Sequence, residues 1–239
     1  MISPRLARRI ATIHKWLGLI VALQLVVWTS TGLFFACFKL TDVRGEHLAH
    51  EMPMDMRRAK YSLTEALRSV AEDAPTSVQM RSIAGEPAWE IRAEIGVFLV
   101  SAETLAVMSP IDEDLARRIA VSSWQSPQRL AGIELIDHPP PESGLRVAAW
   151  VARFEGDGHP TLYINAINGE LGPARTDLWR TYDFFYGLHL MDYADHENAH
   201  SPWMIALAVL AVSTVLFGIA LLVHRFTRGV LKPKAESPK

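Results

Sequence analysis

Nine histidines in 239 residues are the side chains whose spacing could do chemistry. His196 and His200 stand four apart in the string His196-Glu197-Asn198-Ala199-His200. That is the H-E-x-x-H spacing, which puts two imidazoles on one helical face for zinc with a carboxylate beside them as general base. Pro202 interrupts just downstream, and residues 203–223 contain no His, Asp or Glu to serve as a third ligand. A membrane-anchored zinc protease is therefore not expected, and His200 is kept as a candidate metal ligand only. His47 and His50, three apart and followed by Glu51, could take a soft or borderline metal or belong to a solvated linker. His138, before three prolines, and His159, in a turn, read as surface residues.

Three further histidines border apolar segments. His14 opens one such run and His224 closes another. Helices running antiparallel would bring the two imidazoles to one level, where they could bind haem iron axially or simply help to set topology. On a helix expected over 177–193, Tyr182, Tyr186, His189 and Tyr193 form an aromatic stripe, with Asp192 placed to hold one nitrogen of His189. His189 is then either a ligand or part of an anchor lying along the membrane surface.

The elements that position these groups start with two spans. Trp16–Phe38 and Trp203–Val223 carry no charged residue, and each exceeds the ~20 residues a helix needs to cross the hydrocarbon core. The first is too long for the apolar core of a signal peptide. Arg5, Arg8, Arg9 and Lys15 precede the first span; Arg225, Arg228, Lys232, Lys234 and Lys239 follow the second. The positive-inside rule puts both ends in the cytoplasm. Residues 39–202 hold 15 basic and 25 acidic side chains, a net charge of −10, and are expected across the membrane, in the periplasm of a bacterial cell. No nucleic-acid partner is expected of such a surface. Cys37 has no intrachain partner and reads as a buried apolar side chain at the membrane edge. Gly18, Gly32 and Gly218 are candidates for close helix packing, and Thr29, Ser30, Thr31, Ser213 and Thr214 for bonds across the helices or back to their own carbonyls.

The middle segment repeats. Ser62 and Glu65 make a capping box for a short helix with Leu63, Ala66, Leu67, Val70 and Ala71 on one face. "SVQMRSIA", "AWEIRAEI" and "VFLVSA" follow with strand character. Residues 112–124 give a second amphipathic helix, and "AGIELIDH", "LRVAAWVARF" and "HPTLYINAI" again read as strands. "FLVSAETLAV" aligns with "TLYINAINGEL" as the closing strand and turn of each copy, the second with a tight-turn Asn168-Gly169 that the first lacks. The expected fold is an α+β part, two helix-plus-antiparallel-sheet repeats, tethered by two transmembrane helices. Its segments are a basic tail (1–15), a span (16–38), a linker (39–60), repeats at 61–110 and 111–175, an interfacial helix and linker (176–202), a second span (203–223) and a basic tail (224–239).

"YINAINGEL" resembles the ending of the PepSY domain. "HKWLGLIVALQLVVWTSTGLFF" is similar to the first helix of PepSY-associated transmembrane proteins, and "WRTYDFFYGLHLMDY" to their final portion. Together the likenesses cover nearly all of the chain but its tails. Such proteins include inner-membrane ferric-siderophore reductases whose four membrane helices hold b-type haem through paired histidines. This chain has two such segments, which departs from that pattern. The resemblance implies a haem b electron-transfer component or accessory of periplasmic ferric or metal reduction, with His14 matching the family's first-helix histidine. Two helices are a thin scaffold for a haem, so a homodimer or a partner membrane subunit is expected if one binds, with a ferric chelate or redox partner as acceptor. The other function left open is a non-catalytic membrane-anchored interaction or assembly module. No G-x-G-x-x-G follows a strand, so electrons would come from a separate source.

Overall fold

Helix α1 runs without a break over Pro4–Cys37, and α6 over Pro202–Val230 with proline in its first turn, where a missing N–H costs nothing. The protein is described here by a computed structural model covering residues 3–70, 74–191 and 202–230. The chain divides into two units: residues 1–37 with 183–239, and residues 38–182. Both long helices are apolar enough to cross a membrane. Their bulk apolar side chains face outward, Leu23 and Leu33 of α1 and Val209, Leu216 and Leu222 of α6 among them. A water-soluble pair would hide these.

What α1 covers instead is a seam at alternating steps of three and four: Ala7, Ile10, His14, Leu17, Val21, Gln24, Trp28, Thr31 and Phe35. On α6 the matching seam is Leu207, Leu210, Thr214, Phe217, Leu221 and His224. This 3.5-residue period lets two helices keep one face together over many turns, and α1 packs against α6. The glycines behave unequally. Gly18 and Gly32, expected in the contact, have nothing within 4 Å of where a Cβ would sit, whereas Gly218 lies against a neighbour. Cys37, expected to be buried, is exposed.

The second unit begins with one helical turn, α2 (Leu40–Val43), and then repeats a motif. In the first copy α3 (Leu63–Ser69) is followed by β1 (Ser77–Ile83), β2 (Glu86–Ala93) and β3 (Gly96–Ser101), an antiparallel meander. In the second, α4 (Glu113–Ser123) is followed by β4 (Leu130–Ile136), β5 (Ala149–Phe154), β6 (Thr161–Asn165) and β7 (Leu171–Arg175), ordered β4-β5-β6-β7. The expected capping box is present: Ser62 N donates to Glu65 Oε2 at 2.8 Å. Asp112 caps α4 by accepting from Leu115 N at 2.8 Å. α3 ends at Ser69, short of the expected limit, and residues 71–73 lie outside the described part. β7 was not anticipated; it carries Pro173, which an edge strand tolerates because one row of its backbone groups needs no partner.

The copies share their hydrogen bonds. Ser101 N donates to Ala106 O and Leu105 N to Ser101 O; Asn165 N donates to Glu170 O and Gly169 N to Asn165 O. Ser101 Oγ accepts from Glu103 N and Thr104 N, as Asn165 Oδ1 does from Ile167 N and Asn168 N. Trp89 Nε1 donates to Tyr61 O, and Trp150 Nε1 to Ile111 O, in each case the carbonyl just before the helix cap. The turn needs a left-handed residue, Leu105 (φ 62°) in one copy and Gly169 (φ 69°) in the other. At Gly169 a Cβ would also come within 3.0 Å of Ile119.

α3 covers one face of the first sheet with Ala66 against Ile91 and Val100. The opposite face, through Ile83, Ala88 and Leu99, joins α4 and the second sheet in one larger core that includes Ile119, Trp150, Leu162 and Ile164.

Candidate functional site

Helix α5 (Asp177–Leu190) ends on Met191 at φ 54°, before the expected limit at Tyr193. Its last turns pack on the C-terminal end of α1. Phe185 meets Phe34 with ring centroids 4.6 Å apart, and His189 meets Phe35 edge-on at 5.4 Å. Trp28 Nε1 donates to His189 O at 2.9 Å, satisfying one of the carbonyls that a helix end leaves open.

The ring of His189 is fixed by Thr31. Its Nδ1 lies 2.8 Å from Thr31 Oγ1. That hydroxyl also lies 2.9 Å from Val27 O and 3.1 Å from Trp28 O, both acceptors only. A hydroxyl has one proton. When it goes to the helix carbonyls, Thr31 accepts from His189, and in that tautomer Nδ1 carries hydrogen and Nε2 presents its lone pair. This is the arrangement in which one ring nitrogen is anchored and the other is free to ligate. The sequence pointed to Asp192 for the anchoring role; Thr31 takes Nδ1, and Asp192 lies outside the described residues. Thr31 is 4% exposed, the most buried polar side chain on α1.

Near the N-terminal end of α1, His14 sits on Gly218. A Cβ there would lie 3.2 Å from His14 Cε1, so any larger residue would press on the ring. His14 Nδ1 is buried without a hydrogen-bond partner, as is Gln24 Nε2 further along the same seam. His224 is half-buried on the α6 seam, six residues beyond Gly218 and hence about 9 Å along the axis. The two histidines are thus staggered at the backbone rather than level. Gln24 was passed over in an otherwise apolar run.

The other histidines are apart from these. His47 and His50 are exposed, and Glu51 is engaged by Arg81 at 2.9 Å. Among the described residues no group of three or more His, Cys, Asp or Glu is gathered as a metal site would need. His196 and His200 lie outside the described residues. His159 is on the surface, with Nδ1 2.6 Å from Asp177 Oδ2.

Two carboxylates in the second unit went unmarked in the sequence. Glu90, fully buried, accepts from Gln79 and Arg92 on one oxygen and from Arg81 and Asn168 on the other. Burial alone would raise its pKa, but the hydrogen bonds from Arg81 and Arg92 prevail and hold it below the usual range. Because Asn168 belongs to the closing turn of the second copy, Glu90 ties the copies together; the register places Val151 at the corresponding position of β5. Glu142 accepts from Tyr163 Oη at 2.5 Å and from Arg180 through two nitrogens at 3.0 Å. Burial again opposes ionisation, and Arg180 and Tyr163 again outweigh it. Glu90 has all four of its lone-pair positions taken, and Glu142 three of four.

Comparison with family models, with curated proteins and with solved structures gives no match to this chain.

Proposed function

We propose that this protein is a PepSY-type inner-membrane protein with its repeats in the periplasm and both termini in the cytoplasm. We further propose that it holds haem b as an electron-transfer component or accessory of periplasmic ferric or metal reduction. The observation that carries the reading is the Thr31–His189 contact, which anchors Nδ1 of a half-buried imidazole and leaves Nε2 as the nitrogen for a ligand. His14, with a buried unpartnered nitrogen and a glycine seat, is the donor at the other end of the seam, with His224 as its companion. Haem would supply the one-electron chemistry. The chain's own side chains do the rest: Thr31 anchors Nδ1, and Trp28 and Phe35 pack beside the ring. Two helices cover little of a haem, so a second copy or a partner subunit completes the enclosure.

The test is an absorption spectrum of detergent-purified protein made with ample haem. A Soret band and a dithionite-sensitive α band are expected, with haem per protein falling in His189→Ala. Folded but colourless protein, purified with its partners, contradicts the proposal. It would favour the second reading, a non-catalytic interaction or assembly module, which draws on there being two candidate spans among the described residues where the reductases it resembles have four.

A further inference from the structure

We infer that the second unit carries a cleft for an extended, uncharged stretch of a partner polypeptide, held by one of its peptide groups between Trp124 and Gln128. Trp124, Ser126 and Gln128, from the turn between α4 and β4, line a cavity of about 340 Å³ together with Val121, Leu130 and Phe154, a volume in the range of ligand pockets. Two polar atoms of this wall have no partner in the fold: Trp124 Nε1 and Gln128 Oε1 are both buried and form no hydrogen bond. Trp124 as a whole is 8% exposed. The indole nitrogen only donates and the amide oxygen only accepts, yet they are not bonded to each other. What satisfies both is a group that accepts at one edge and donates at the other, as a secondary amide does. A carboxylate or phosphate offers acceptors alone and would meet Gln128 Oε1 unfavourably.

Both groups are held in place. Ser123 O accepts from His50 N at 2.9 Å and Gln125 N donates to Leu48 O at 2.8 Å, which fixes the backbone on either side of Trp124. The indole lies flat on Phe154, with centroids 3.8 Å apart and planes 9° from parallel. Gln128 rests on Gly156, where a Cβ would come within 3.3 Å of its Cγ.

The shape selects a chain over a small molecule. Val121 also lines a second cavity, of about 400 Å³, that reaches Arg117 on α4 and Ala84 in the turn between β1 and β2. The two cavities therefore adjoin along α4, beside a valine left 58% exposed. An extended peptide fits this run, one apolar side chain covering Val121 while a peptide group lies at Trp124. The arginines along it have carboxylates of their own: Arg117 pairs with Glu113 at 2.8 Å and Arg118 with Glu86 at 3.6 Å. Arg129 has Glu155 as its cross-strand neighbour, Glu155 N donating to Arg129 O at 2.8 Å. Little charge is left over to draw an ionic ligand. The inference depends on neither haem nor the membrane reading.

Full-length protein in detergent, with nitrogen-15 in its tryptophan indoles, is titrated with acetyl-Ala-Leu-Ala-Leu-amide. The Trp124 signal, assigned through Trp124→Phe, is followed by NMR. A saturable downfield shift of that indole proton is expected. Gln128→Leu and Val121→Lys, each with an unchanged melting temperature, should weaken binding roughly tenfold. N-methylacetamide, an amide without the apolar arm, and 3-methylbutanol, the arm without an amide, should each bind at least about tenfold more weakly than the peptide. Three results overturn the inference: an indole proton that does not move saturably, folded variants that bind like wild type, or either small probe binding as well as the peptide.

Discussion

Glu90 and His14 are both ionisable and both set in packed surroundings, one in each unit, and they are treated oppositely. Glu90 has four donors on its two oxygens, so its burial is fully compensated and the carboxylate acts as a clasp between the repeats. His14 has a ring nitrogen buried with no donor or acceptor near it, on a glycine shaped to receive the ring. A buried polar group without a partner costs about 1–3 kcal/mol. A fold that satisfies its buried carboxylate and leaves its buried imidazole open separates a structural polar group from one available to a ligand. His189 stands between the two, with one nitrogen satisfied and the other open.

The contrast can be broken from either side. The largest effect is expected at the clasp: Glu90→Ala strands Arg81, whose side chain is 10% exposed, and should cost about 3–5 kcal/mol. A large fall in melting temperature with haem content unchanged in the folded fraction would place the clasp and the imidazoles in separate roles. Thr31→Val keeps the shape but leaves His189 Nδ1–H unpaired; haem affinity should drop about 10–100-fold, as when an outer-shell partner is lost. Thr29→Val is the control, since its hydroxyl bonds only to carbonyls of its own helix, and retained haem affinity is expected there.

Gly218→Leu should unseat His14 at a cost of about 1–3 kcal/mol of overpacking, read as a lower melting temperature and loss of the signal from that end alone. The smallest effect is that of pH. Glu90 and Glu142 have folded pKa values held below the usual range. Their contribution is therefore complete above the unfolded value near ~4.3 and is lost as pH falls through the lower folded values. Melting temperature should be flat above about pH 5 and decline in acid, with a shallower decline in Glu90→Gln.

The sequence carried the outline of this molecule well. Two charge-free runs and a capping box mark the spans and the first repeat helix, because each is a local pattern with a local cause. β7 escaped because Gly172 and Pro173 disguise an edge strand, and the helix ends at Ser69 and Leu190 were overrun. The histidines were legible as candidates, whereas their partners were not. Thr31 and Gly218 matter through helix-to-helix contacts that a hydropathy run cannot encode, and Gln24 was submerged in one. Glu90 looked like an ordinary solvent-facing position of an alternating strand. It is buried because a second repeat lies on that face, a fact of tertiary packing rather than of period-two alternation.

The central claim concerns which nitrogen of His189 holds the proton. Nitrogen-15 NMR of histidine-labelled, haem-free protein in detergent, assigned with His189→Gln, reads it directly. A protonated Nδ1 with an unprotonated Nε2, reverting to a mixed tautomer in Thr31→Val, is the predicted result. A proton on Nε2 with Nδ1 bare in the native protein would contradict the account.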